Sequence, residues 1–320
     1  MNRQLSMEFA RVTEQAAWRC ARLIGKGDKE GADQLAVDGM HAEFAKTPIS
    51  GTVVIGEGEM DEAPMLYIGE KVGMGGEEVD IAVDPLEGTN LVAKGQYGAI
   101  AVLAIAPKGC LLHAPDMYME KLCVGPAGKG RVDINKSVTE NLKALAEGMK
   151  CDVSDLTVVV LDRPRHEKII RECREAGARI RLITDGDVAP AVECGIEGSG
   201  IHMVIGSGGA PEGVLAAVGL KCLGGDMQAR LLPQNDEEIR RLHEMGIDDP
   251  SRVLTLDDLV SGDDCIFSST AVTDGNMMRG VQFFENGCRT HTMLLRYKTG
   301  TVRFLDTIHR FGEEKNAVKL

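Results

Sequence analysis

The segment Asp84-Pro85-Leu86-Glu87-Gly88-Thr89 sets two carboxylates and a hydroxyl within six residues, directly after the apolar run Val79–Val83. That run is rich in small and β-branched residues and reads as a strand. Pro85 fixes one backbone angle and removes an N–H, so the strand is expected to end there. Gly88 lets backbone approach a ligand closely, and the chain from Thr89 through Ala93 could open a helix whose N–H groups attract an anion. Carboxylates for a hard cation, a hydroxyl and a phosphate-sized cradle together point to metal-assisted phosphate chemistry. Taken singly, Asp84 and Glu87 could also be helix-capping acids.

Further constellations lie at other predicted strand ends. Ile55-Gly56-Glu57-Gly58-Glu59 closes a strand with a Gly-flanked acidic pair, which is either a solvated turn or a ligand pair. Asp33 lies in a predicted helix, where an aspartate is ordinarily surface. Glu212 follows Gly206-Ser207-Gly208-Gly209-Ala210-Pro211 at a helix start. A dinucleotide loop is the competing reading there, but the spacing departs from G-x-G-x-x-G and the unit comes late in the chain. Asp162-Arg163-Pro164-Arg165-His166 offers two guanidinium groups suited to clamping a phosphate, or a capped helix start. Thr184-Asp185-Gly186-Asp187 could accept hydrogen bonds from sugar hydroxyls or form a turn. The Tyr118 hydroxyl could touch a phosphate, or the ring could belong to the core. His166 is the one histidine at a predicted functional edge and takes no role from the sequence.

These residues need elements to position them. Apolar spacing predicts helices over Leu5–Leu23 and Lys29–Ala45, then short strands at Thr52–Ile55, Val79–Val83 and Ala99–Ile105. Ser137-Val138-Thr139-Glu140 is a capping box opening a helix to about Met149. From Cys151 the rhythm becomes strand–loop–helix. Strands are expected at Leu156–Leu161, Arg179–Ile183 and Ile201–Ile205, with helices at His166–Ala178, Val188–Cys194 and Pro211–Leu220. This alternation predicts crossover units and a largely parallel sheet, with ligands at the carboxyl ends of its strands. Strands joined by turns at Glu285-Asn286-Gly287 and Lys298-Thr299-Gly300 are expected near the end. The change of rhythm divides the chain into an N-terminal α/β half, 1–150, and a C-terminal α/β half, 151–320, closely packed together.

Composition bounds the function. The 320 residues carry 49 acidic against 36 basic side chains, a net charge of −13, which opposes binding to nucleic acid or an anionic membrane. The nine cysteines are scattered without a C-x-x-C pair and read as reduced thiols. No apolar run reaches membrane-spanning length, and the amphipathic start carrying Glu8 does not resemble a signal peptide, so a cytoplasmic location is expected.

Taken together, the motifs resemble the lithium-sensitive, metal-dependent phosphatase superfamily, whose pattern is Asp-Pro-x-(Asp/Glu)-Gly-Thr with an upstream Glu. More narrowly, the chain resembles the class II fructose-1,6-bisphosphatases over roughly residues 2–310. The likeness rests on Gly25-Lys26-Gly27-Asp28, Ala32-Asp33-Gln34, Ile55–Glu59, Asp84–Asn90 and Gly208–Gly213, in that order. It implies an α/β fold, a layered α+β sandwich of the sugar-phosphatase type with alternating helix and sheet layers, found as homodimers or homotetramers. By resemblance Asp33 and Glu57 hold one divalent ion, with Glu59 an alternative to Glu57, and Asp84, Glu87 and Glu212 hold a second. Glu87, Gly88 and Thr89 meet the scissile phosphate, while Tyr118, Arg163, Pro164, Arg165, Asp185, Gly186, Asp187 and Gly209 line the sugar bisphosphate. The metal-binding residues thus fall mainly in the first half and the sugar-phosphate residues in the second.

The implied reaction is hydrolysis of the 1-phosphate of fructose 1,6-bisphosphate to fructose 6-phosphate, a step of gluconeogenesis. Oxygen-only ligands suit Mn²⁺ or Mg²⁺ better than Zn²⁺. Asp84, Glu87 and Thr89 would carry the chemistry, Thr89 orienting a water or acting as nucleophile; its high pKa favours the orienting role. Competing readings are a dual fructose-1,6-/sedoheptulose-1,7-bisphosphatase, an inositol-phosphate phosphatase, a dinucleotide-binding oxidoreductase and a non-catalytic sugar-phosphate sensor.

Overall fold

In the computed structural model, which describes residues 1–58 and 65–311, nine helices form. They are α1 (Leu5–Cys20), α2 (Lys29–Phe44), α3 (Thr89–Lys94), α4 (Val138–Met149), α5 (Glu167–Glu175), α6 (Val188–Glu193), α7 (Ala210–Leu223), α8 (Asp236–Glu244) and α9 (Leu256–Leu259). The strands are β1 (Ile49–Ile55), β2 (Lys71–Val72), β3 (Glu77–Glu87), β4 (Ile100–Pro107), β5 (Tyr118–Val124), β6 (Thr157–Leu161) and β7 (Arg179–Ile183). They continue with β8 (Met203–Gly209), β9 (Asp226–Leu231), β10 (Leu254–Thr255), β11 (Ile266–Ala271), β12 (Gln282–Phe284), β13 (Gly287–Arg296) and β14 (Thr301–Arg310). One sheet runs β12-β13-β11-β4-β3-β1-β2 with β14 along β13; the other runs β10-β9-β5-β8-β6-β7. Sheet membership crosses residue 150 in both directions, since β5 lies in the second sheet and β11–β14 in the first.

The period-two alternation of β4 builds the layers. Ala101, Leu103 and Ile105 face one way, into a core shared with Phe9, Val12 and Ala16 of α1 and Met40 of α2. Ile100, Val102 and Ala104 face the other way, into a core shared with Val214, Leu215 and Val218 of α7. The far side of α7 meets Met119 and Cys123 of β5 in the same core. Leu122, Val124, Val158 and Val160 then turn outward onto Leu142 and Leu145 of α4 and Ile170 of α5. The result is a five-layer helix–sheet–helix–sheet–helix sandwich. Helix α7 is buried on every side because it lies between two sheets, and after its first turn its sequence is apolar all round except for Lys221, which is buried and bonds Asp257 and the Val260 carbonyl. Each fully buried Leu or Val on these faces contributes roughly 2 kcal/mol, and Leu103→Ala would cost about 2–5 kcal/mol through the cavity it leaves.

Local signals act as expected at several ends. The Ser137 side chain accepts from the Glu140 N–H at 3.3 Å while the Ser137 N–H donates to Glu140 at 3.0 Å, closing the capping box of α4. Glu285-Asn286 and Lys298–Gly300 join β12 to β13 and β13 to β14. All nine cysteines are free, and among the described residues no helix is long and apolar enough to cross a membrane.

Two expectations are corrected. β3 does not stop at Pro85 but runs to Glu87, with a register shift between Asp84 and Glu87 against β4. The proline sits in this bulge, where a strand tolerates the missing N–H. The second sheet is mixed rather than largely parallel: β7, β6 and β8 are parallel, but β5 pairs antiparallel with both β8 and β9. The antiparallel part includes β5, whose Tyr118-Met119-Glu120-Lys121 start hides its buried face behind a charged pair.

Candidate active site

The bulge in β3 directs the acids. Asp84 Oδ1 accepts the Leu86 N–H at 3.1 Å, and buried Glu87 accepts the Val188 N–H at the start of α6 at 3.1 Å. Gly88 then adopts φ +87°, a left-handed conformation that glycine takes without strain, and α3 begins at Thr89. With six residues α3 is too short for a strong macrodipole, so anion affinity here rests on local donors. Glu212 comes from the first turn of α7. A Cβ at Gly209 would collide with the Glu212 carboxylate, so glycine at that point lets the acid lie against the strand end.

Asp84, Glu87 and Glu212 each present a carboxylate oxygen, and these oxygens lie within 4.8 Å of one another. The crowding shows in their protonation. Burial, then the neighbouring charge of Glu87, lifts Asp84 well above the usual carboxylate range. Burial, then Glu212, pushes Glu87 up to about 7, and burial raises Glu212. Glu212 Oε2 is buried and has no hydrogen-bond partner among the described residues. An orphaned carboxylate oxygen among other carboxylates carries a desolvation cost that a cation would offset. An oxygen-only donor set with such an orphan fits a hard divalent cation of the Mg²⁺ or Mn²⁺ type.

Asp33 of α2 and Glu57 after β1 line the same cleft, which has room for about 490 Å³ and is also bordered by Gly88, Thr89, Asn90, Asp185 and Glu212. Burial, then the Asp33 charge, pushes Glu57 up to about 7, and burial raises Asp33. These two face the three-carboxylate group without joining its close contact. Glu59, the alternative to Glu57, lies outside the described residues.

The sugar-side candidates divide. Asp185 reaches the cleft and accepts from Asn90 Nδ2 at 2.9 Å. Gly186, at φ +73°, brings the loop within reach of Glu87: a Cβ there would lie 3.7 Å from Glu87 Oε1. Tyr118 and Gly209 are paired across β5 and β8, so the tyrosine stands one strand away from Glu212. Arg165 packs over the Tyr118 ring at 4.9 Å and donates to Ser207 Oγ at 2.9 Å and Ser207 O at 2.8 Å. Arg163 donates to the Thr184 carbonyl at 2.7 Å, and Pro164 opens the turn between the two arginines. Asp187 turns inward instead: both its oxygens accept from buried Lys121, at 3.0 and 2.8 Å.

Three positioning groups take no role from the sequence. Lys121, a charged residue in a strand, is 2 % exposed. Burial pulls its pKa down, but Asp187, Glu212 and Glu87 outweigh this, and the ammonium is held above its usual value. His166 uses Nδ1 toward the Leu161 carbonyl at 2.8 Å and accepts the Ser207 N–H at Nε2 at 2.8 Å. Burial lowers its pKa, so it serves as a neutral brace for the β8 end. Asn90, the last residue of the Asp84–Asn90 motif, is the third; the motif marks its place, but its bond to Asp185 comes from the tertiary fold. The glycines weighed as a dinucleotide loop, Gly206–Gly209, are the last residues of β8.

Comparison with known proteins points the same way. The family described as bacterial fructose-1,6-bisphosphatase, glpX-encoded, matches residues 3–309. The D-fructose 1,6-bisphosphatase class 2/sedoheptulose 1,7-bisphosphatase of Synechococcus sp. (strain JA-2-3B'a(2-13)) is 49% identical in an alignment of 346 residues covering 100% of both chains. The protein of the same description from Synechococcus elongatus is 47% identical over 340 residues, covering 98% of this chain and 99% of the relative. That from Crocosphaera subtropica is 49% identical over 334 residues and 97% of each chain.

Proposed function

The chain belongs to the glpX-encoded bacterial fructose-1,6-bisphosphatases, and from that membership we propose that it hydrolyses the 1-phosphate of fructose 1,6-bisphosphate to fructose 6-phosphate and phosphate. The observation that carries the reading is the three-carboxylate group of Asp84, Glu87 and Glu212, with its unpartnered buried oxygen, opening beside Thr89. Asp84, Glu87 and Glu212 would hold one divalent ion and Asp33 with Glu57 another. When bound, such ions neutralise the carboxylates, polarise phosphoryl oxygens and lower the pKa of a water.

The chain's own residues do the rest. The Val188 N–H fixes Glu87 Oε1, which holds the Glu87 carboxylate at the cleft. The Thr89 hydroxyl orients the attacking water; its high pKa disfavours direct attack. Asp185, held by Asn90, accepts hydrogen bonds from sugar hydroxyls. Arg165, stacked on Tyr118 and tied to Ser207, binds the distal phosphate, with Arg163 beside it. The ion is Mn²⁺ or Mg²⁺, in keeping with the oxygen-only donors. A cytoplasmic dimer or tetramer accompanies this reading, and the free thiols agree with a reducing compartment.

The relatives' names favour a second substrate, sedoheptulose 1,7-bisphosphate. The test is phosphate release from both sugar bisphosphates with Mn²⁺ or Mg²⁺, with identification of the remaining monophosphate. Fructose 6-phosphate as the product from fructose 1,6-bisphosphate supports the reading; fructose 1-phosphate, or no release from either substrate by folded protein, contradicts it.

A further inference from the structure

Lys121 and Asp187 form a buried ion pair beside the candidate active site. The ammonium is 2.8 Å from Asp187 Oδ2 and 3.0 Å from Oδ1, and the two side chains are 3 % and 10 % exposed. The pair adjoins the segments that carry or hold the metal-ligand candidates, Asp187 along the chain and Lys121 in space. Asp187 directly precedes Val188, whose N–H holds Glu87. A Cβ at Gly213, the residue after Glu212, would lie 3.5 Å from Lys121 Cε. Glycine at 208 leaves room for the pair, because a Cβ there would lie 3.1 Å from Lys121 Nζ and collide with Asp187 Oδ2. Lys121 also acts electrostatically on Glu212 and Glu87, and Asp187 acts on both with the opposite sign.

A fourth carboxylate therefore acts on the three-carboxylate group, while both of its oxygens are held by a lysine. We propose that Lys121 is a positioning residue for the metal site: it claims both Asp187 oxygens, keeps that acid out of the ligand set, and limits the negative charge that a divalent ion meets at Glu87 and Glu212. The inference rests on the metal reading given above. A buried ammonium whose charge reaches Glu212 and Glu87 would oppose a divalent ion held there, because both charges sit where water screens poorly. Losing the lysine alone should tighten metal binding, losing the aspartate alone should weaken it, and losing both should nearly cancel. A purely structural strut would behave otherwise, since every variant would loosen the site and weaken binding.

The experiment is calorimetric titration of Mn²⁺ into metal-stripped protein, for the wild type, Lys121→Met, Asp187→Asn and the double variant, each checked for folding by circular dichroism. Lys121→Met is expected to bind Mn²⁺ about tenfold more tightly or better and Asp187→Asn about tenfold more weakly, with the double variant within about threefold of wild type. Weaker binding in Lys121→Met, or a double variant as weak as Asp187→Asn, would overturn the proposal while leaving the metal site standing. Should Lys121→Met alone not fold, recovery of affinity from Asp187→Asn to the double variant decides it. A folded wild type that takes up no Mn²⁺ would overturn both this proposal and the metal reading.

Discussion

Replacing Glu212 with glutamine should make the metal-free protein more stable and remove what a divalent ion adds. The side-chain oxygens of Asp84, Glu87 and Glu212 lie within 4.8 Å of one another. Two unit charges at that separation repel by roughly 3.5 kcal/mol at an effective dielectric of about 20. Above pH 7, where Glu87 loses its proton, the repulsion between Glu87 and Glu212 is expressed, whereas Asp84 is lifted well above the usual carboxylate range. The substituted amide keeps the shape, removes one charge and supplies an N–H₂ donor to the remaining acids, so a net relief of about 2–4 kcal/mol is expected. At about 2 °C per kcal/mol for a chain of this size, the melting temperature in chelator at pH 8 should rise by about 4–8 °C. An ion at about a hundred times its Kd stabilises wild type by about 2.7 kcal/mol, an increment that Glu212→Gln should lose. Paired melts with chelator and with saturating Mn²⁺ read both numbers. A variant less stable than wild type in chelator, with the Mn²⁺ increment intact, would refute the argument that Glu212 is a crowded ligand.

Stability of the metal-free protein should also fall as pH rises from about 5 to about 8. Carboxyls of an unfolded chain release protons near pH 4, whereas Glu57 and Glu87 hold theirs to about 7, so between those values the folded state binds more protons and loses stability with increasing pH. Mn²⁺ should flatten most of that slope in denaturant titrations, but not the part due to Glu193, which burial pushes up to about 7 away from the cluster; an unchanged slope would place the protons elsewhere. Gly209→Ala should displace the Glu212 carboxylate that its Cβ would strike, lowering kcat by about a hundredfold or more while circular dichroism stays native; near-wild-type turnover would show that Glu212 need not lie there. Arg165→Ala removes the stack on Tyr118 and the ties to Ser207; KM should rise about tenfold or more with kcat changed less, and an unchanged KM would take Arg165 out of the substrate site.

The acids at strand ends were legible because carboxylates beside glycines, as at Glu57, Glu87 and Glu212, satisfy no folding need, and their order along the chain is specific. The first helix layer and the sheet beneath it were legible too: α1 carries a clear 3.6-residue period, α2 buries Ala32, Ala36, Met40 and Phe44 at four-residue spacing, and the strand β4 is a continuous apolar run. The second sheet was less so. Its parallel strands β6 and β7 follow the strand–helix rhythm, but β5 joins it from the first half of the chain, and nothing local in Tyr118–Val124 announces that long-range pairing. Lys121 was illegible for the same reason, since its partner is 66 residues away and only tertiary packing turns a charged strand residue inward. Pro85 misled because proline ends ordinary strands, whereas here a bulge accommodates it and aims Asp84 and Glu87 into the cleft.

The most direct measurement is phosphate release from fructose 1,6-bisphosphate as a function of added Mn²⁺ or Mg²⁺, for metal-stripped wild type and for Asp84→Ala of verified fold. Release that rises with metal, disappears with excess chelator and is absent in Asp84→Ala is the result expected if the three-carboxylate group holds the ion that hydrolysis needs. Release that survives chelation, or turnover by Asp84→Ala at the wild-type rate, would contradict it.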